Sequence, residues 1–383
     1  MKRETAGIFL MLCLLVAIAG CRRDDMLIYS DDTQVALPRY TSVDGFYLLN
    51  EANMGSNKST LDYYNDTTGV YTRNLYAEAN PTVVKELGDV GNDLKIYGSR
   101  LYAVINCSHK VEVMRADNAE RIGQIDLPNC RYIAFDGPFA YVSSYVGPVK
   151  PDPKAPLGCV FKVDTATLQV VDTVTVGYQP EEMEVRFGKL YVANSGGYRV
   201  PDYDSTLSVV DLATFEEIKK IPVAINLHRV RGDKNGRLYV SSRGDYYDVP
   251  SRLFVLDCRT DRLVDTLDVP VDNLWIDGDS AYVCSGSWNH VTQQNVIGYH
   301  IVDLKTLRPV GSFIKDGTES DIRLPYGIAV HPITKEVYVT DARNKVSAGI
   351  VHCYGADGVH RWQAKTGDIP AHFAFKGNLD RNK

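Results

Sequence analysis

The stretch Glu184-Val185-Arg186-Phe187-Gly188-Lys189-Leu190-Tyr191-Val192-Ala193-Asn194 holds an alternating strand, a glycine turn and a tyrosine-centred apolar strand. Its side chains repeat with a period near two, and glycine supplies the positive φ of a tight hairpin. The tyrosine strand recurs as Phe46-Tyr47-Leu48, Leu101-Tyr102-Ala103, Ala140-Tyr141-Val142, Leu238-Tyr239-Val240, Ala281-Tyr282-Val283 and Val337-Tyr338-Val339, seven copies in all. The tyrosines lie 55, 39, 50, 48, 43 and 56 residues apart. That spacing brackets the length of a four-stranded propeller blade.

The rest of each repeat completes the blade. After the anchor come a loop of variable length and an apolar strand closing on aspartate, as in Phe161-Lys162-Val163-Asp164, Ser208-Val209-Val210-Asp211 and His300-Ile301-Val302-Asp303. A short turn such as Thr165-Ala166-Thr167 leads to an outer strand, for example Val170-Val171-Asp172-Thr173-Val174. Crowding of valine, tyrosine and threonine, with no long apolar stripe at a 3.6 period, excludes a helical alternative. The expected fold is all-β, a seven-bladed β-propeller with four-stranded antiparallel blades. Its closure is also legible. Ala371-His372-Phe373-Ala374-Phe375 spells an innermost strand with no anchor after it, and the Tyr47 strand has an anchor with no obvious innermost strand before it. The two are expected to share one composite blade, because closure removes open sheet edges.

The N-terminus sets the compartment. Lys2 and Arg3 precede an apolar run from Ile8 to Ile18, followed by Ala19, Gly20 and Cys21. This is a signal peptide, too short for a stable membrane span, ending in a lipobox whose Cys21 carries the lipid. The expected organisation is residues 1–20 as signal peptide, 21–40 as a lipidated flexible tether and 41–383 as the propeller, with membrane contact through the lipid only. Cleavage removes Lys2, Arg3 and Glu4, taking the formal charge from −6 to −7. No strongly basic face results, so nucleic acid is excluded as a partner.

Six cysteines remain beside Cys13 and Cys21, spaced in no zinc pattern. One pair, Cys107 with Cys130, is expected to form a disulfide, since the repeat places both at one end of neighbouring blades.

Loops leaving the anchor strands and loops entering the innermost strands meet at one end of a propeller, and here they are long and rich in aromatics, amides and charges. The candidate ligand-binding residues are Asn53, Asn106, Tyr145, Asn194, Tyr198, Tyr203, Arg243, Tyr246, Tyr247, Trp288 and Arg343 from exit loops. Arg131, His228, Tyr326 and His372 come from entry loops. Aromatic faces stack and amides hydrogen-bond at low charge cost, which suits a large, amide-bearing, partly flat ligand. The other anchor tyrosines and Trp275 read as core. No nucleophile elbow, paired metal-binding histidines or phosphate loop is present, so no catalytic residue, cofactor or metal site is assigned. Two rival readings are a lactonase-like hydrolase, with an axial ion on Glu51, Asn53, Asn194 and His228, and a scaffold for surface glycans or proteins.

These anchors, the Val-Val-Asp turns and the blade 188–194 resemble propellers of the YncE and surface-layer type. With the lipobox, the Arg22-Arg23-Asp24-Asp25 tail and the opening Gly45-Phe46-Tyr47-Leu48-Leu49-Asn50-Glu51, the chain is similar to the Bacteroidetes lipoprotein branch that includes BtuG. The resemblance implies a non-enzymatic, surface-exposed outer-membrane lipoprotein. It would capture cobalamin or related corrinoids as ligand and pass them to a TonB-dependent outer-membrane transporter. The same fold hosts unrelated functions.

Overall fold

Phe187 and Gly188 have φ of 53° and 71° in the computed structural model, the geometry of a two-residue turn that matches strand twist. The turn joins strands Pro180–Arg186 and Lys189–Asn194. The structure describes residues 30–83 and 86–377; the signal peptide and Cys21 lie outside them. Seven antiparallel sheets follow around the ring, six of four strands and one of five. Blades 2 to 7 begin with the innermost strands Gly91–Tyr97, Cys130–Asp136, Pro180–Arg186, Leu227–Gly232, Asn273–Asp277 and Pro325–Val330.

Blade 1 is composite, as expected. Its innermost strand is Pro370–Gly377, paired with Val43–Asn50 so that Phe46 faces Phe375 and Leu48 faces Phe373. It also has a fifth, outermost strand. Asp31–Gln34, inside the stretch expected as tether, pairs with Val70–Arg73. All four of its residues are exposed.

The turns after the third strands explain the aspartate-threonine signature. The Asp164 carboxylate accepts hydrogen bonds from the Ala166 and Thr167 amides at 2.9 and 2.8 Å, and Asp303 does the same with Lys305 and Thr306 at 2.8 Å each. Each side chain thereby replaces a backbone turn partner.

Each blade face is buried against a neighbour, which accounts for the continuous apolar anchors. Tyr191 and Ala193 pack towards blade 5, and Leu190 and Val192 pack towards blade 3. Seven such clusters fill the seven interfaces between blades. Six anchor tyrosines are at most 1% exposed, while Tyr282 is half-buried. Trp275 packs edge-on to Phe375, as a core residue should.

The expected Cys107–Cys130 disulfide is a correction: both are free thiols, like the other four cysteines among the described residues. The Cys130 thiol is buried against the carbonyls of Ile105 and Lys110, at 3.8 and 3.3 Å, while the Cys107 thiol meets the Asn106 amide oxygen. Burial pushes Cys130 up to about 12, and it behaves as a small core hydrophobe.

A cup lined by all seven blades

Entry to the innermost strands is built the same way in most blades. Val90, Asn129, Gln179, Asn226 and Ile369 immediately precede their strands and all have φ between 40° and 61°. A residue further on, the ladder slips. Cys130 pairs with Ser144 and Ile133 with Val142, so Arg131 and Tyr132 together oppose Ser143. The same two-against-one arrangement sets Glu181 and Glu182 against Ala193, and His228 and Arg229 against Ser241. A β-bulge of this kind breaks the alternation and re-aims side chains. Arg131 and Tyr132, and likewise His228 and Arg229, therefore both line the axial cavity.

That cavity is a cup of about 720 Å³ at the end where the long loops gather. Glu51 comes from blade 1, Asn92 from blade 2, Arg131, Tyr132 and Tyr145 from blade 3, and Glu181 and Tyr198 from blade 4. Blade 5 gives Asn226, His228, Arg229, Arg243 and Tyr246, blade 6 gives Asp272 and Trp288, and blade 7 gives Tyr326 and Lys345. A side chamber of about 280 Å³ opens next to it, sharing Arg243, Tyr246, Asp272, Ser287 and Trp288, with Val249, Pro250, Pro270 and Val296 as its apolar wall.

Glu181 organises the cup. It is 1% exposed and accepts hydrogen bonds from Arg131 Nη2 at 3.0 Å, Arg243 Nη1 at 3.2 Å and the Tyr145 hydroxyl at 2.5 Å. Burial works to raise its pKa, but Arg131, Arg243 and the Tyr145 hydroxyl outweigh burial and hold it below the usual carboxylate range. The Arg131 guanidinium lies 4.6 Å over the Tyr145 ring, and Tyr198 meets Tyr145 edge-on at 6.3 Å. Across the cup, Glu51 accepts from the Tyr326 hydroxyl at 2.7 Å and pairs with His372 Nε2 at 2.9 Å. Its pKa is lowered as well: burial opposes this, and His372 and Tyr326 prevail. His228 pairs through Nε2 with the Tyr132 hydroxyl at 2.8 Å. Burial first, then the nearby arginines, push its pKa well below 6.5, so the ring is neutral at pH 7.

The rim is braced between blades 5 and 6. Tyr247 stacks on His290 at 4.7 Å, the His290 amide donates to the Tyr246 carbonyl at 2.8 Å, and Asn289 Nδ2 donates to the Tyr247 carbonyl at 3.0 Å. The hairpin carrying Trp288 projects because its two strands, Ser280–Asn289 and Gln294–Asp303, are ten residues each. Asp272 pins its base by accepting from the Gly286 and Ser287 amides at 2.6 and 2.7 Å.

Of the fifteen candidate residues, Arg131, Tyr145, Tyr198, His228, Arg243, Tyr246, Trp288 and Tyr326 line the cup. His372 supports Glu51 from behind, and Tyr247 stacks outside the rim. Tyr203, half-buried, belongs to the same loop cluster as Tyr246 and Tyr247. Asn106 and Asn194 are buried scaffold amides, donating to the Cys130 carbonyl at 2.9 Å and to Ser208 Oγ at 2.8 Å. Asn53 donates to the Lys345 carbonyl, and Arg343 is an exposed turn residue with φ 51°. The set Glu51, Asn53, Asn194 and His228 is thus engaged in four separate networks. Among the described residues no group of three or more His, Cys, Asp or Glu side chains is placed to hold a metal ion. Tyr132, Arg229, Asp272 and Lys345 were not singled out by sequence; the bulges hid the first two.

A family model described as a domain of unknown function, DUF5074, matches residues 44–376. The chain belongs to the DUF5074 family. No curated protein matches its sequence. Solved structures share the fold of this DUF5074 propeller at low identity. Hydrazine synthase from Kuenenia stuttgartiensis is 18% identical, with a TM-score of 0.54 over 70% of this chain and 77% of that one. A quinonprotein alcohol dehydrogenase-like protein from Bacteroides thetaiotaomicron is 14% identical, with a TM-score of 0.56 over 88% and 79%. A computationally designed protein is 11% identical, with a TM-score of 0.54 over 89% and 93%. At these identities the likeness concerns the DUF5074 fold alone.

Proposed function

We propose that this DUF5074 propeller is a non-catalytic cell-surface lipoprotein. Its cup captures cobalamin or a related corrinoid for delivery to a TonB-dependent outer-membrane transporter. The observation that carries the reading is one cup fed by every blade, in which Tyr145, Tyr198, Tyr246 and Trp288 stand beside arginines and amides. A corrin presents a conjugated plane edged with amide side chains. Aromatic faces suit the plane, while arginine donors and the exposed amide of Asn295, which also lines the cup, suit the edge. The side chamber beside Trp288 offers apolar surface for a further flat group. The similarity of the N-terminal lipobox and acidic tail to those of surface lipoproteins supports the location.

The test is calorimetric titration of the full-length chain, purified in detergent, with cyanocobalamin. A saturable one-to-one isotherm is expected. Absence of heat, together with no spectral change in the corrinoid, would refute the assignment.

A further inference from the structure

Two adjacent buried glutamates of blade 4, Glu181 in the cup wall and Glu182 behind it, serve four arginines. Glu181 takes both Arg131 and Arg243, at 3.0 and 3.2 Å. Glu182 takes Arg231 at 2.9 Å and leaves Arg229 at 3.9 Å. The other nearby anions are occupied: Asp93 by Lys95 at 3.6 Å, Glu184 by Arg186 at 2.7 Å and Glu51 by His372. Arg229 is 4% exposed and lines the cup, yet its Nε and Nη1 have no hydrogen-bond partner. Glu182, Glu51 and Asp93 stabilise its charge from a distance, but buried donors left without hydrogen bonds are costly, and arginine's fork of donors matches an oxyanion. Next to it, His228 Nδ1 also lacks a partner.

We propose that this wall is an oxyanion subsite, in which Arg229 receives a phosphate ester or carboxylate of the ligand. The choice of probes rests on the corrinoid reading; the subsite itself does not. The ligand would then lie with its anionic group against blades 3 to 5 and its apolar parts towards Trp288 and the side chamber.

The test combines corrinoids and free anions on the full-length chain. Cyanocobalamin carries a phosphodiester in its nucleotide loop, and dicyanocobinamide lacks that loop. Arg229→Met is expected to weaken cyanocobalamin by about tenfold or more while changing dicyanocobinamide by less than about twofold. Separately, at constant ionic strength, inorganic phosphate or acetate should raise the melting temperature of the wild type but not of Arg229→Met. Which of the two anions protects tells phosphate from carboxylate. Arg229→Lys, which keeps the charge, serves if the methionine variant misfolds, and should retain part of the shift. Equal losses for both corrinoids, or an anion shift that survives in Arg229→Met, would overturn the subsite. If neither corrinoid binds but the anion shift depends on Arg229, the corrinoid assignment fails and the subsite stands.

Discussion

Replacing Glu181 with glutamine should strip the cup of its central counter-charge while keeping its volume. Arg131 and Arg243 would remain buried with only a neutral amide between them, and the Tyr145 hydroxyl would lose a charged acceptor. Removing one partner from a buried ion pair costs about 3–5 kcal/mol. In a domain this large, about 2 °C of melting temperature is lost per kcal/mol, so the expected drop is about 6–10 °C. Thermal unfolding followed by circular dichroism at pH 7 measures it. The companion variant Arg131→Met should be destabilising alone, and less so in the Glu181→Gln background, because it then removes a charge already unpaired. The coupling should be about 1 kcal/mol or more. Since the carboxyl pKa is lowered in the fold, its contribution is present above the ordinary value of 4.5 and fades as pH falls below it. A wild-type difference that persists unchanged at low pH, or additive single variants, would refute this account of the cup.

Other consequences are open to direct measurement. Truncation after Lys365 removes the innermost strand of blade 1, with Phe373 and Phe375 at 7% and 8% exposure, and should abolish cooperative unfolding; an unchanged melting temperature would refute closure through this strand. Trp288→Ala and Tyr246→Ala should each weaken corrinoid binding by about 1–3 kcal/mol in calorimetry. Because Trp288 is 43% exposed, its loss should leave stability nearly unchanged, and equal affinity in both variants would place the ligand elsewhere. Burial, with help from His360, lowers the His352 pKa from 6.5 to about 4. The unfolded chain therefore takes up the proton first as pH falls, and stability drops from pH 6.5 towards pH 4 by roughly 3 kcal/mol. His352→Gln should flatten that part of the stability profile, as seen in denaturant melts at stepped pH; a profile identical to wild type would contradict it.

The ring was legible because each anchor strand is buried on both faces, and Leu190, Tyr191 and Val192 must then all be apolar. The composite blade was legible for the same reason, through Phe373 and Phe375. What escaped had no such pattern. Asp31–Gln34 is an exposed edge strand held by backbone pairing, so its polar residues look like a tether. At the site, exit-loop aromatics announced themselves, but loop position did not separate Tyr246, in the cup, from Tyr247, stacked outside it. Asn106 and Asn194 carry the chemistry of ligand contacts and spend it on their own backbone and hydroxyl neighbours. Tyr132 and Arg229 were hidden because strict alternation turns them away from the axis, whereas a bulge turns both of each pair inward. The cysteine pairing failed because neighbouring loop ends in the repeat do not fix side-chain direction, and the Cys130 thiol points at the Ile105 and Lys110 carbonyls of blade 2 rather than at Cys107.

A crystal structure of the chain grown with cyanocobalamin, using anomalous scattering from cobalt to locate the ligand, bears most directly on the cup. The account predicts a cobalt peak within the space bounded by Tyr145, Tyr198, Tyr246 and Trp288, with the nucleotide loop towards Arg229. A cobalt site on the opposite end of the ring, or on the outer strand of any blade, would contradict it.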